Sequence, residues 1–118
     1  HDCITQIDVS SHFRGNDYLE ICRQKLSNIV QSDFDLMLYN AGMDVHEKCR
    51  IGGRSGVTDQ TLHDRDAMVF EICRVAGLPV AFVLAGGYAN KEFSEEQLAQ
   101  LHATTAVLAA KNSSSPKN

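Results

Sequence analysis

Residues 35–44 read DLMLYNAGMD, a short apolar run that ends in an asparagine, a glycine and an aspartate. A continuous apolar run of this kind is typical of a parallel strand that is covered on both faces. The pattern returns at residues 79–88, PVAFVLAGGY, where a second apolar run ends in two glycines and a tyrosine. The two runs predict neighbouring parallel strands, 35–39 and 79–84, with polar residues at their carboxyl ends.

Helical periodicity separates these runs, so the order of elements alternates between strand and helix. Asn16 is a good N-cap for a helix over 17–30, Thr58 for a helix that ends at Ala76, and Ser94 for a helix that ends at Ala110. A further apolar segment, 3–9, predicts a first strand. This alternation indicates an α/β fold with three layers (α/β/α) around a small parallel sheet of three or more strands.

The chain length and composition predict one domain. The 118 residues, with a formal net charge of −4, suffice for a single domain over residues 1–110 followed by a disordered polar tail, 111–118. An acidic balance disfavours nucleic acid and anionic membranes as partners. We find neither an apolar run of membrane-spanning length nor a secretory leader pattern, and we therefore expect a cytoplasmic protein.

The four cysteines do not form a C-x-x-C pair, which excludes a zinc knuckle and a thioredoxin motif. Cys22 and Cys73 fall on apolar faces of predicted helices, where a free thiol behaves as a small buried hydrophobic group. Cys49 differs from both, because it lies in a polar, glycine-rich loop.

The loops after the two strands contain the candidate functional residues. Asp44 and His46 are two residues apart, so an extended backbone would point both toward one shared divalent metal. A surface aspartate beside a loop-capping histidine is the commoner interpretation of that spacing. Gly86 and Gly87 would allow a ligand to approach the backbone, and Tyr88 would hydrogen-bond a developing oxyanion, although an ordinary turn has the same sequence.

Taken in order, the two strand-end motifs resemble the histone deacetylase family, zinc-dependent amidohydrolases of the arginase/deacetylase fold. The likeness runs from DLMLYNAGMD at 35–44 through HEKCRIGG at 46–53 and RDAMVF at 65–70 to PVAFVLAGGY at 79–88. Its nearest counterparts are the class IV and bacterial deacetylase-like members. It covers about residues 16–90.

This resemblance implies specific roles for matching residues. Asp44 corresponds to the last zinc-ligating aspartate of the family, with His46 as a further possible ligand. Tyr88 corresponds to the tyrosine that hydrogen-bonds the substrate carbonyl, and Gly86 and Gly87 shape the substrate pocket. The implied cofactor is zinc, and the implied substrate is an acylated amine, either acetyl-lysine or an acetylpolyamine.

The sequence also departs from the family pattern. The His-His pair that activates water, and the Asp-x-His motif that provides the first two zinc ligands, precede the matching region in the family. Neither pattern occurs in residues 1–15. We therefore expect a truncated deacetylase-like protein that is inactive by itself.

Two other interpretations remain open. Residues 49–55, CRIGGRS, are similar to the C-R-x-G-x-R-S active loop of rhodanese sulfurtransferases, in which Cys49 would be the nucleophile. The chain would otherwise be a binding or oligomerisation module without catalysis. An incomplete parallel sheet exposes an edge and an apolar flank, so we expect a homo-oligomer or a complementing partner chain.

Overall fold

The computed structural model describes residues 15–113 and contains three helices and two strands in alternating order. These elements are α1 (Gly15–Val30), β1 (Met37–Gly42), α2 (Asp59–Ala76), β2 (Val80–Ala85) and α3 (Glu95–Ser113). The predicted strand at 3–9 and most of the predicted tail lie outside the described residues. The α/β alternation is confirmed for the part of the chain that the structure describes.

The two strands pair in parallel, from Met37 opposite Val80 to Gly42 opposite Ala85. One face of this sheet packs on the helices, where the Phe70 ring of α2 lies between Tyr39 and Phe82 in edge-to-face contacts. The opposite face is open, with Leu38 76% exposed and Val83 60% exposed. Residues 15–113 therefore form two layers rather than the predicted three, because none of them covers the second face.

Two of the three predicted helix caps are confirmed, whereas the prediction for Asn16 is wrong, because α1 begins at Gly15 and Asn16 lies inside the helix. Thr58 caps α2 and exchanges hydrogen bonds with Thr61, while Gly77 adopts a left-handed conformation at φ 71° and ends the helix. Ser94 accepts a 3.0 Å hydrogen bond from the Gln97 amide and so caps α3 as predicted. The side chain of Gln97 does not complete a capping box, since it donates to Asp59 of α2 instead.

The ends of the other elements differ from prediction by a few residues. β1 begins at Met37 and continues to Gly42, whereas the apolar run predicted a strand over 35–39. Pairing with β2 explains this shift in the bounds of β1. The hydrogen-bonded ladder runs from Val80 to Ala85 of β2, so the paired residues of β1 run from Met37 to Gly42. α3 ends at Ser113 rather than at the predicted Ala110. Among the described residues, no helix has the length and apolar character needed to cross a membrane.

The core lies between the helices and the sheet. Cys22 and Cys73 are buried as predicted, and burial raises the pKa of both thiols. Both therefore behave as small apolar groups rather than as nucleophiles. The other large fully buried side chains come from the β1–α2 loop, from α2 and from the segment before α3; they include Met43, Val57, Leu62 and Phe93.

An ion pair lies inside this core. Arg65 and Asp66, adjacent on α2, are 5% and 1% exposed, and the Arg65 Nε donates to Asp66 Oδ1 at 2.9 Å. The Asp66 carboxylate also accepts hydrogen bonds from Tyr39 of β1 and from Thr105 of α3. The pair thus joins the helix on which it lies to the sheet and to α3.

The charged state of the pair follows from its neighbours. Burial alone would lower the pKa of the Arg65 guanidinium, but Tyr39, Tyr18 and Asp66 outweigh that effect and raise it. Burial raises the pKa of Tyr39 and of Tyr18, while the nearby Arg65 charge partly offsets the increase. Both tyrosines are therefore neutral phenols at physiological pH, and Arg65 is charged.

Replacing Asp66 by asparagine should destabilise the fold strongly. Removal of one member of a buried ion pair leaves the other charge uncompensated, and we expect a loss of about 3–5 kcal/mol in the free energy of unfolding. Asp64→Asn is the matched control, because Asp64 lies on the same helix at the surface and contacts exposed Gln60. Urea denaturation of both variants measures the difference. Equal losses for the two variants would contradict the structural role of the buried pair.

Candidate functional site

The predicted functional residues follow the two strands directly at one edge of the sheet. The Met43 amide donates to the Ala85 carbonyl at 3.0 Å, which extends the contact between the strands just beyond their paired residues. Asp44 follows Met43, and Gly86 follows Ala85. Parallel pairing therefore brings Asp44 and Gly86, which lie far apart in the sequence, next to each other at the strand ends.

Three glycines surround the Asp44 carboxylate. A Cβ added at Gly86 would lie 2.7 Å from Asp44 Oδ1, and one added at Gly42 would lie 2.9 Å from the same atom. Gly52 approaches the other carboxylate oxygen, with an added Cβ 3.2 Å away. Larger residues at these positions would displace the carboxylate. Because these three residues are glycines, the backbone of three segments can approach the Asp44 carboxylate closely.

Asp44 and Tyr88 line the same groove. This groove has a volume of about 530 Å³ and runs between α1 and β1 to the carboxyl ends of the strands. Tyr88 is 58% exposed, so its hydroxyl is accessible from solvent. Gly86 also lines the groove, whereas the missing side chain of Gly87 leaves room for Leu98 of α3.

His46 is oriented differently from the predicted metal ligand. Its ring is 1% exposed and stacks on Phe93 with centroids 4.5 Å apart. Its Nδ1 accepts from the Lys48 amide at 3.1 Å, which leaves Nε2 to donate to Asp59 at 2.7 Å. Both ring nitrogens are used within the protein, as expected of a loop-capping histidine. Through its hydrogen bond to Asp59, the ring links the β1–α2 loop to the first turn of α2.

Within the described residues, no group of three or more His, Cys, Asp and Glu side chains is placed to hold a metal ion. A catalytic zinc site needs three protein ligands and an open position. Asp44 is a suitable oxygen ligand with room around it, but it is a single ligand. Residues 15–113 therefore do not fit a complete zinc site.

Cys49, the alternative nucleophile, is also buried. Its side chain is 4% exposed, and its thiol donates to the Met43 carbonyl at 3.6 Å. A reactive cysteine is ordinarily at least partly exposed and lies in an electropositive setting. The rhodanese interpretation has no support from this position, and it stays a prediction.

Arg65 contacts the site directly, and the motifs did not reveal that role. Its Nη1 donates to the Gly42 carbonyl at 2.6 Å and to the Tyr18 hydroxyl at 3.1 Å. A sequence signal did exist, because Arg65 lies three residues after Leu62 and four before Val69, on the apolar stripe of α2. A charged residue on such a stripe indicates a buried partner.

The sequence of the chain is similar to that of one known protein family. A model described as the histone deacetylase domain matches residues 1–105 of the chain. An uncharacterized protein of Picosynechococcus sp. is 40% identical over 74 residues, which make up 62% of this chain and 24% of that protein. The chain thus matches about a quarter of that relative's length. No solved structure shows significant similarity to the chain.

Replacing Gly86 by alanine should displace Asp44. Gly86 has φ 64°, so alanine costs about 1–2 kcal/mol from backbone strain, and its Cβ would collide with the carboxylate. Gly77→Ala is the matched control, because Gly77 has φ 71° and nothing lies within 4 Å of an added Cβ. We expect Gly86→Ala to lose more stability in urea than Gly77→Ala, and a shift of the Asp44 amide resonance only in Gly86→Ala. Equal shifts in both variants would show that the glycine does not shape the site.

Proposed function

Because the chain belongs to the histone deacetylase family, we propose that Asp44 and Tyr88 form part of an active site that hydrolyses acylated amines. The observation that carries this proposal is the packing of the Asp44 carboxylate against Gly42 and Gly86 at the strand ends, in the groove that also contains Tyr88. In open α/β sheets, ligands bind at the carboxyl ends of strands. Within the family, we assign the chain to the class IV and bacterial deacetylase-like members on the motifs that it matches.

Asp44 and Tyr88 have different roles in this site. The Asp44 carboxylate is a hard oxygen donor and would serve as one ligand of a catalytic zinc ion. The Tyr88 hydroxyl donates a hydrogen bond to the substrate carbonyl oxygen and stabilises the negative charge that develops there. Gly86 lies next to Asp44 without a side chain that would fill the groove, and Gly87 leaves room for Leu98 of α3 beside the tyrosine. The substrate class is acetyl-lysine or an acetylpolyamine.

Residues 15–113 do not catalyse this reaction by themselves. Asp44 is one ligand where three are needed, and His46 is held by Lys48 and Asp59 away from that task. We therefore propose that the remaining ligands and the base that activates water come from polypeptide outside these residues. This proposal is consistent with the matched relative, in which the aligned segment makes up 24% of the protein.

The open face of the sheet is where further polypeptide would pack. Leu38 and Val83 are exposed on it, and Leu36, just before β1, is half exposed nearby. A soluble domain rarely leaves such neighbouring apolar side chains uncovered. We propose that this face is covered by another polypeptide, and that in the purified protein a second copy of the chain takes that place.

The role of Asp44 can be tested with Zn²⁺ on the purified chain. We expect added Zn²⁺ to shift the amide resonances of Asp44 and Gly86, with weak affinity because a single carboxylate binds, and we expect no hydrolysis of an acetyl-lysine peptide or an acetylpolyamine. Asp44→Asn should abolish the shifts. Glu47→Gln is the matched control, since Glu47 is an exposed carboxylate in the same loop.

Either of two results would contradict this assignment. Zn²⁺ shifts that survive Asp44→Asn would place the ion elsewhere. Stoichiometric zinc accompanied by turnover that Asp44→Asn abolishes would show that the chain is active alone, with ligands that pool between subunits.

Association through the open face can be tested by sedimentation velocity at tens of micromolar protein. We expect the wild-type chain to sediment faster than a monomer, and Leu38→Lys to shift it toward the monomer because a charge would be buried at the interface. Ile51→Lys is the matched control, because Ile51 is equally exposed but lies in the loop beside Asp44. A monomeric wild type, or equal effects of the two variants, would refute this interface.

A further inference from the structure

The loop between β1 and α2 is long, and part of it is basic. It spans residues 43–58, whereas a connection from a strand to a helix ordinarily has about 2–6 residues. Three of the chain's eleven lysines and arginines lie within residues 48–54, at Lys48, Arg50 and Arg54, and this segment contains no acidic residue. We call residues 48–54 the basic tip. Its charge is opposite in sign to the formal net charge of the chain, which is −4.

A large apolar side chain is exposed within the basic tip. Ile51 is 73% exposed, and Arg50 next to it is exposed as well. The residues nearby are less accessible, since Cys49 is buried and Gly53 is half-buried. A single exposed apolar residue is normal on a protein surface. Ile51 differs from such a residue because cationic side chains precede and follow it within three positions, at Arg50 and Arg54.

Backbone contacts fix the shape of the basic tip. The Arg54 amide donates a hydrogen bond to the Val45 carbonyl at 3.0 Å, which joins the two sides of the loop. At the turn between them, a Cβ added to Gly53 would collide with the Cys49 carbonyl oxygen, so the chain passes close to itself there. A surface that is already ordered loses little conformational freedom when it binds. The basic tip is therefore suited to hold a partner.

The basic tip lies beside the groove of the candidate site without forming its wall. The Asn90 side chain donates to the Lys48 carbonyl at 2.8 Å, which joins the tip to the segment that follows Tyr88. Arg50 and Ile51 do not line the groove. A partner that contacts these two side chains would therefore leave the groove open.

We propose that the basic tip is a docking surface for an acidic segment of a partner protein, in which an apolar side chain lies among carboxylates. The carboxylates would pair with Lys48 and Arg50, and the apolar side chain would pack on Ile51. Complementary charge speeds association and selects the partner, while the apolar contact adds affinity. A nucleic acid offers negative charge without an apolar side chain, and the net charge of the chain opposes its approach. This inference is independent of the proposed function, because it uses neither Asp44 nor Tyr88.

The test titrates the purified chain with the synthetic peptide EEELEEE at low ionic strength and follows the amide resonances. We expect the largest shifts within residues 48–54, and weaker binding at higher salt because salt screens the charges. The peptide EEESEEE should bind about fivefold more weakly, because it lacks the apolar side chain that packs on Ile51. The peptide KKKLKKK should leave the resonances of the basic tip unchanged.

Two substitutions separate the charged part of the surface from the apolar part. Arg50→Glu and Ile51→Ser should each weaken the binding of EEELEEE about fivefold. Lys25→Glu is the matched control for the first, since Lys25 is exposed on α1 and the net charge changes equally. Val75→Ser is the control for the second, because Val75 is 74% exposed on α2. Both controls should bind the peptide as the wild type does.

The inference is overturned if EEELEEE does not bind the wild type, if its shifts lie outside residues 48–54, or if the controls weaken binding as much as the two substitutions. Equal binding of EEELEEE and KKKLKKK would also overturn it. Phosphatidylserine vesicles or an oligonucleotide that bind the basic tip more tightly than EEELEEE would assign the surface to another class of partner. If the amide spectrum shows that Arg50→Glu is not folded, Lys48→Glu takes its place under the same criteria.

Discussion

The buried ion pair of Arg65 and Asp66 connects all three helices of the described structure to the strand β1. Asp66 receives hydrogen bonds from β1 and α3, and Arg65 donates to α1 and to the end of β1. Charges in a core are costly unless all their hydrogen-bonding positions are used. That requirement constrains the packing, because no helix can shift against the sheet without leaving a buried polar group unpaired.

This constraint extends to the candidate site. The same guanidinium that satisfies Asp66 also fixes Gly42, and the backbone at Gly42 determines where Asp44 leaves the sheet. On the other side of the loop, His46 is fastened to α2 through Asp59 and stacks on Phe93. The candidate functional carboxylate thus lies on a segment that is fixed at both ends, which is the condition for a preorganised ligand.

The described structure is closely packed around the strand ends, whereas one face of the sheet is open. One face of the sheet packs on α2 through Phe70, while the other exposes Leu38 and Val83. The apolar run at 35–39 predicted a strand covered on both faces, but residues 15–113 cover only one face of β1. The proposed zinc site is likewise incomplete within the described residues, which offer Asp44 but no group of three or more ligands.

The sequence by itself determined the α/β alternation, the caps at Thr58 and Ser94, the burial of Cys22 and Cys73, and the family. These features depend on hydrophobic periodicity, on capping residues and on motifs that follow one another in a set order. Each such pattern is formed by residues that are close together in the sequence. Tertiary structure alone decided the role of Arg65, the turn of His46 toward Asp59, and the packing of Gly42 and Gly86 around Asp44. Each of these depends on contacts between residues far apart in sequence, and side-chain hydrogen bonds of that kind follow from strand register and helix packing rather than from spacing along the chain.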